Sequence, residues 1–218
     1  HVNVKFIDSD ELLHIDPAQL LGDVDGILVP GGFGIRGVEG KIIAAQYARE
    51  HRLPYLGVCL GFQIATIEIA RHVLGLAQAD STEFEPGTPD PVIFIMPEQA
   101  GVTEMGGTMR LGAQPVNLKK DSKAAALYKA TAISERHRHR YEVNPAYIER
   151  FEAAGWQFTG VSEDGTKMEV GELKDHPYFV ASQFHPEFKS RPNRPSPLHQ
   201  GLVDAAIAYA RTKAGPQQ

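Results

Sequence analysis

Gly57-Val-Cys59-Leu-Gly61 is the segment that most constrains what this chain can become. An apolar run over residues 55–58 enters it, and a helical pattern over 60–74 leaves it. The only cysteine of the chain therefore stands at a strand-to-helix junction, with a glycine two positions away on each side. A bend that sharp presses backbone against backbone, and residues lacking a Cβ give it room. The helix that follows points free N–H groups and the positive end of its dipole at the sulfur, which favours thiolate over thiol. A lone cysteine is equally at home as a small core hydrophobe. A partner base elsewhere in the chain has to decide between the two.

The surrounding pattern sets the fold class. Strand-like runs at 2–7, 25–29 and 55–59 alternate with helix-like runs at 38–50 and 60–74. Apolar strands alternating with amphipathic helices predict a parallel sheet covered on both faces. Beyond Gly75 the texture changes. A Pro/Gly/acid loop at 81–91 leads to short β runs at 92–96 and 108–118, a small helix at 122–128 and a basic strand at 133–143. Asn144-Pro145 is an N-cap and first-turn pair for a helix reaching residue 154. Runs at 156–161 and 168–173 flank Asp164-Gly165, a hairpin signal. A strand at 178–184 and a helix at 198–213 close the chain. The expectation is a single α/β domain over residues 1–218, with a mostly parallel, helix-flanked central sheet and a small additional antiparallel β element.

Composition excludes several classes. A net charge of −5 argues against nucleic acid as the main partner. No apolar run is long enough to span a membrane, and no charged and apolar leader opens the chain. One cysteine permits no internal disulfide, so a reducing, cytoplasmic setting is expected. His1 opens the chain in place of Met, which reads as a piece of a longer polypeptide, and the polar tail 214–218 reads as frayed.

Gly32-Phe-Gly34-Ile-Arg-Gly37 matches the dinucleotide fingerprint in form, but the next strand ends in Val58-Cys59 rather than in a ribose-binding acid. A P-loop fails at Ile35 and Ile42. The alternative for Pro30-Gly-Gly-Phe-Gly34 is a tight turn that bares a backbone N–H toward the cysteine. Together with the Leu60 N–H it supplies the two donors of an oxyanion hole. The base is found late, in Gln183-Phe-His185-Pro-Glu187. Two residues apart at a strand end, His185 and Glu187 emerge on one side, so the carboxylate fixes the imidazole tautomer while the other nitrogen serves a thiol. Strand carboxyl ends share one sheet edge, which brings 59 and 185 together. Arg136-His-Arg-His-Arg140 is the densest basic stretch; it is either a solvated face or a cradle for a substrate carboxylate. His137 and His139 have strand spacing but no cysteine pair or further histidine motif, so no metal site is assigned.

Taken together, the Pro30–Gly34 loop, Gly57-Val-Cys59-Leu-Gly-Phe-Gln63 and the His-Pro-Glu run resemble the triad (class I) glutamine amidotransferases, which have a flavodoxin-like fold. Ser81-Thr-Glu-Phe84, Gly106-Gly-Thr-Met-Arg-Leu-Gly112 and Glu135-Arg-His-Arg-His-Arg-Tyr-Glu-Val-Asn144 narrow the resemblance to the amidotransferase domains of CTP synthases. It extends from residue 1 to about 210. The resemblance implies Cys59 as nucleophile, His185 as acid/base and Glu187 as orienting carboxylate. It implies Gly32 and Leu60 as the oxyanion hole, and Gln63, Glu83 and Arg140, with Gly32 and Leu60, as binders of L-glutamine. It places Arg110 in a segment tied to a GTP response.

The resemblance further implies that this domain needs no cofactor of its own. Ammonia passes to an N-terminal synthetase domain of the same parent chain, which uses ATP and Mg²⁺ to aminate UTP. GTP acts there as allosteric activator, in a homotetrameric parent. The family's first strand and helix have no counterpart in these residues, and Phe62 stands where Met or Leu is usual. Competing readings are a γ-glutamyl hydrolase or another class I amidotransferase, a non-catalytic regulatory module, and a nucleotide-binding domain built on Gly32–Gly37.

Overall fold

Strand β2 (Tyr55–Val58) is buried at every position and runs straight into helix α3 (Leu60–His72). These two elements form the axis of the computed structural model, which describes residues 1–95 and 109–213. β2 has a parallel neighbour on each side, β1 (Ile27–Val29) and β10 (Phe179–Ser182). Parallel strands flanked on both sides need apolar residues on both faces, which is why Tyr55-Leu-Gly-Val58 shows no alternation. Helix α2 (Val38–Glu50) joins β1 to β2, its buried Val38, Ile42, Ala45 and Ala48 on one stripe. A short helix α1 (Pro17–Leu21) precedes β1, capped by the Asp16 carboxylate on the Ala18 N–H.

The seven-stranded sheet has the order β1-β2-β10-β9-β8-β5-β6. Its antiparallel half comprises β5 (Arg110–Leu118), β6 (Ala132–His139), β8 (Trp156–Ser162) and β9 (Met168–Leu173). A second sheet of three strands combines β3 (Ala79–Ser81), β4 (Asp90–Ile95) and β7 (Tyr141–Val143). Helices α4 (Lys123–Tyr128), α5 (Ile148–Ala153) and α6 (Pro197–Lys213) complete the fold. The helix-flanked α/β sheet and the small extra sheet match the expectation. Within the large sheet, parallel pairing is confined to β1, β2 and β10, so the sheet is mixed rather than mostly parallel. The small sheet is mixed as well, β3 with β4 parallel and β4 with β7 antiparallel.

Three further expectations change. Residues 2–7 form no strand: Val2, Val4 and Phe6 are exposed, Phe6 at 94%, because no described strand offers them a ladder. The basic run 133–143 is two strands, broken at Arg140, and its halves join different sheets. The helix after Asn144 begins as a 3₁₀ turn, Pro145–Tyr147, with the Asn144 side-chain oxygen Oδ1 accepting from the Ala146 N–H. Gly106–Thr108 of the glycine-rich run, the end of the 92–96 run, the start of the 108–118 run and the tail 214–218 lie outside the described residues. Phe62 is fully buried against Trp156 and Phe158, so it belongs to the core.

Candidate active site

The bend at residue 59 is as tight as the glycines imply. Cys59 holds φ 53° and ψ −100°, a conformation that non-glycine residues avoid. A Cβ on Gly57 would fall 2.4 Å from the Gly61 carbonyl oxygen, and one on Gly61 2.2 Å from that of Val29. The strain is held by hydrogen bonds: the Cys59 N–H donates to Ser182 O at 2.7 Å, and its carbonyl accepts from Phe62 N–H at 3.0 Å.

His185 follows the end of β10, the strand beside β2, so both side chains reach one edge of the sheet. Its backbone N–H donates to Arg136 O at 2.8 Å. Its Nδ1 lies 2.7 Å from Glu187 Oε1, although Glu187 sits on the 3₁₀ turn Pro186–Lys189 rather than on strand spacing. Burial raises the Glu187 pKa, but the His185 hydrogen bond and a backbone N–H outweigh it and hold the carboxyl below its usual range. The imidazole stacks on Phe188, centroids 4.7 Å apart and planes 8° from parallel. On the sheet side it abuts Gly31, where a Cβ would stand 2.7 Å from His185 Cε1 and 3.5 Å from Cys59 Cβ. His185 Nε2 is buried and accepts or donates no hydrogen bond within the described protein.

The sulfur departs from expectation. Burial dominates and pushes the Cys59 thiol up to about 12; the Leu60 N–H works against this, and Glu187, Glu83 and Glu142 add to it. The helix start therefore acts in the expected direction and is overruled by desolvation. The polar neighbours of Sγ are Arg138 O at 3.8 Å, which accepts its proton, and Gln183 Nε2 at 3.9 Å. Neither was singled out from sequence. Gln183 belongs to the His-Pro-Glu run but had no assigned role, and a backbone carbonyl carries no residue-type signal at all.

Gly32, Phe33, Cys59, Gln63, Glu83, His139, Arg140 and Tyr141 line the pocket over the sulfur. Of the expected ligands for an amino-acid substrate, Gln63, Glu83 and Arg140 are all here, and Gly32 packs against Leu60. Glu83 Oε1 accepts from the Gly34 N–H at 2.9 Å; burial raises its pKa, with Gly34 and Arg140 opposing. That same bond engages the Gly32–Gly37 loop with a carboxylate, and the turn Ser9–Leu13 packs on α2, so the start of α2 is not a phosphate cradle. Arg110 lies behind the pocket wall, opposite His139 in the β5–β6 register, and pairs with Glu169 and, at 3.5 Å, Glu142.

A cysteine held in a strained bend, an imidazole oriented by a carboxylate and a polar pocket on one sheet edge are the parts that acyl-transfer chemistry requires. The family model "Glutamine amidotransferase class-I" matches residues 1–205, and the chain belongs to that family. Within it, the chain groups with the glutamine amidotransferase domains of CTP synthases. It is 57% identical to the CTP synthase of Archaeoglobus fulgidus over 210 residues, 96% of this chain and 39% of that protein. Against the CTP synthase of Bacillus subtilis the identity is 52%, covering 97% of this chain and 40% of the relative. The chain thus spans about two fifths of the length of these relatives. The glutaminase domain of Trypanosoma brucei CTPS, solved with bound acivicin, superposes with a TM-score of 0.87 at 40% identity, covering 95% of this chain and 81% of that one. No described helix is long and apolar enough to cross a membrane.

Proposed function

We propose that this domain hydrolyses L-glutamine through a thioester on Cys59 and feeds the ammonia to a synthetase domain of the same parent chain, which converts UTP to CTP. The observation that carries the reading is the pairing of the strained Cys59 bend with the His185–Glu187 hydrogen bond at the end of the neighbouring strand. With the thiol pushed up to about 12, the proton leaves sulfur for His185 as attack proceeds rather than beforehand. The S–C bond forms at the carboxamide carbon, the oxyanion is held by the N–H groups of Gly32 and Leu60, and His185 returns the proton to the departing ammonia. Water then gives its proton to His185 and its oxygen to the acyl carbon; the C–S bond breaks, glutamate leaves, and the sulfur is reprotonated. Glu187 keeps the imidazole in one tautomer and steadies its cationic form.

Glu83 suits the α-ammonium of glutamine and Arg140 its α-carboxylate, with Gln63 beside them. In the parent chain, ATP and Mg²⁺ serve the synthetase domain, and GTP acts as activator of an enzyme that assembles as a tetramer in the cytoplasm. In this reading Arg110, which pairs with Glu142 and Glu169 behind the pocket, carries a GTP response inward rather than holding the nucleotide on the surface. In the full-length parent, Cys59→Ala is expected to lower glutamine hydrolysis about a thousandfold or more while free ammonia still supports CTP formation. Full glutaminase activity in that variant overturns the reading.

A further inference from the structure

Gln183 is fully buried, and its side-chain amide bridges two residues of the site. The orientation of that amide follows from its neighbours. Gln63 Nε2 lies 3.2 Å from the backbone carbonyl of Tyr141, an atom that can only accept, so the NH₂ group of Gln63 faces it. The same nitrogen is 3.3 Å from the Gln183 side chain, which must therefore present its carbonyl oxygen there. The NH₂ of Gln183 is thereby turned to Cys59 Sγ, 3.9 Å away. A chain of amides with one polarity runs from β7 to the sulfur and ends in an N–H. The backbone N–H of Gln183, donating to Glu169 O at 2.9 Å, fixes the other end of the residue.

We propose that Gln183 is a catalytic residue of the proposed thioester chemistry: its Nε2–H donates to the Cys59 sulfur whenever that sulfur carries charge, as it attacks and again as it leaves. The surroundings otherwise disfavour charge there. Arg138 O faces the sulfur and can only accept, and three carboxylates lie within electrostatic reach. The Leu60 N–H favours the anion, but in the tetrahedral intermediate it is called to the substrate oxygen. Gln183 is then the donor left to the sulfur among the described hydrogen bonds. Being a neutral amide, it serves without titrating and without adding a charge that would have to be desolvated.

The test reads the sulfur directly. In the full-length parent, alkylation of the Cys59 peptide by iodoacetamide is followed across pH by mass spectrometry, without glutamine, in wild type, Gln183→Met and Gln63→Leu. Methionine keeps the length and bulk and removes the donor. The expected result is a rate profile displaced toward higher pH in Gln183→Met, with the alkylation rate constant at any fixed pH lowered about tenfold or more. Gln63→Leu, which frees the Gln183 amide to turn, shifts the value the same way by less. A merely structural role lowers the melting temperature and leaves the sulfur's pH profile in place. An unchanged profile in either folded variant overturns the proposal, and Gln63→Leu decides it alone where Gln183→Met does not fold. The inference rests on the glutaminase reading, yet the two fail separately: loss of that reading appears in Cys59→Ala turnover, whereas this one is read on the thiol with no substrate present.

Discussion

Gly31 lies beside both Cys59 and His185, and that closeness makes the smallest possible substitution informative. The imidazole lies between the Phe188 ring and the Gly31 backbone, so it has one position rather than a range. A methyl group at residue 31 enters the space of His185 Cε1 and swings the ring off its stack. Under the proposed mechanism, Gly31→Ala is expected to lower kcat for glutamine about tenfold to a hundredfold with KM and melting temperature little changed, because misplacement by an ångström is costly in a positioned proton transfer. Steady-state glutaminase kinetics check it, and an unaltered kcat means that the ring has room the packing denies. The residues of the proposed triad could be singled out in sequence because each sits in a motif whose residue types have few other uses. Phe188 was not, since an aromatic residue after His-Pro-Glu reads equally well as core.

Strand β6 is the element on which the site hangs. It is the last strand of the large sheet, and alternate carbonyls along its free edge serve the site. Ser134 O takes the Lys189 ammonium, Arg136 O the His185 N–H, and Arg138 O faces the sulfur. An edge that would otherwise invite a foreign strand is thus closed by the active-site turn. The intervening side chains point inward. His139 Nδ1 lies 3.3 Å from Tyr141 O and donates to it, so a neutral His139 accepts at Nε2 from His137 Nδ1 at 2.9 Å. Burial first, then the Arg110 charge, hold His137 at about 2 and His139 at about 3, against 6.5 in the open chain. Groups with depressed values stabilise the fold above their unfolded pKa and withdraw that support as pH falls below about 6.5. Glu142 and Glu169, raised by burial, act with the opposite sign and lose their contribution as pH rises through their folded values. Melting temperature is therefore expected to fall from pH 6.5 toward 5 with a shallower slope in His139→Gln and a steeper one in Glu169→Gln. Parallel curves for the three proteins exclude the cluster as the source. Sequence disclosed the basic run but not this use of it, because hydrogen bonds from backbone carbonyls leave no trace in residue type.

At the scale of the molecule, β2 and β10 of the parallel trio lead into Cys59 and His185, while the antiparallel half supplies the wall behind them. The two halves are welded at Trp156, fully buried on β8 among Phe62, Phe158 and Phe179. Gly171 on β9 lies beneath it, and a Cβ there would stand 2.3 Å from the indole. Gly171→Ala is expected to destabilise by about 1–3 kcal/mol through overpacking, a drop in melting temperature with the Cys59 alkylation profile unchanged. A melting curve matching wild type shows that the indole gives way freely. The overall class was legible in the alternation over residues 25–75, where local pattern and tertiary role agree. The break at Arg140 was not, because neither glycine nor proline marks it and the run 133–143 alternates without interruption. Yet that break decides how the pocket is made. Glu83 follows β3, Tyr141 opens β7, and both strands belong to the small sheet, whereas Cys59 and His185 follow strands of the large one. Under the proposed roles, the amino-acid end of the substrate is held beside the small sheet, by Glu83 after β3 and Arg140 before β7, and its amide at the edge of the large one. The gap between two sheets then measures the molecule between them, and an amide one methylene shorter, as in asparagine, is turned away by the architecture rather than by any one side chain.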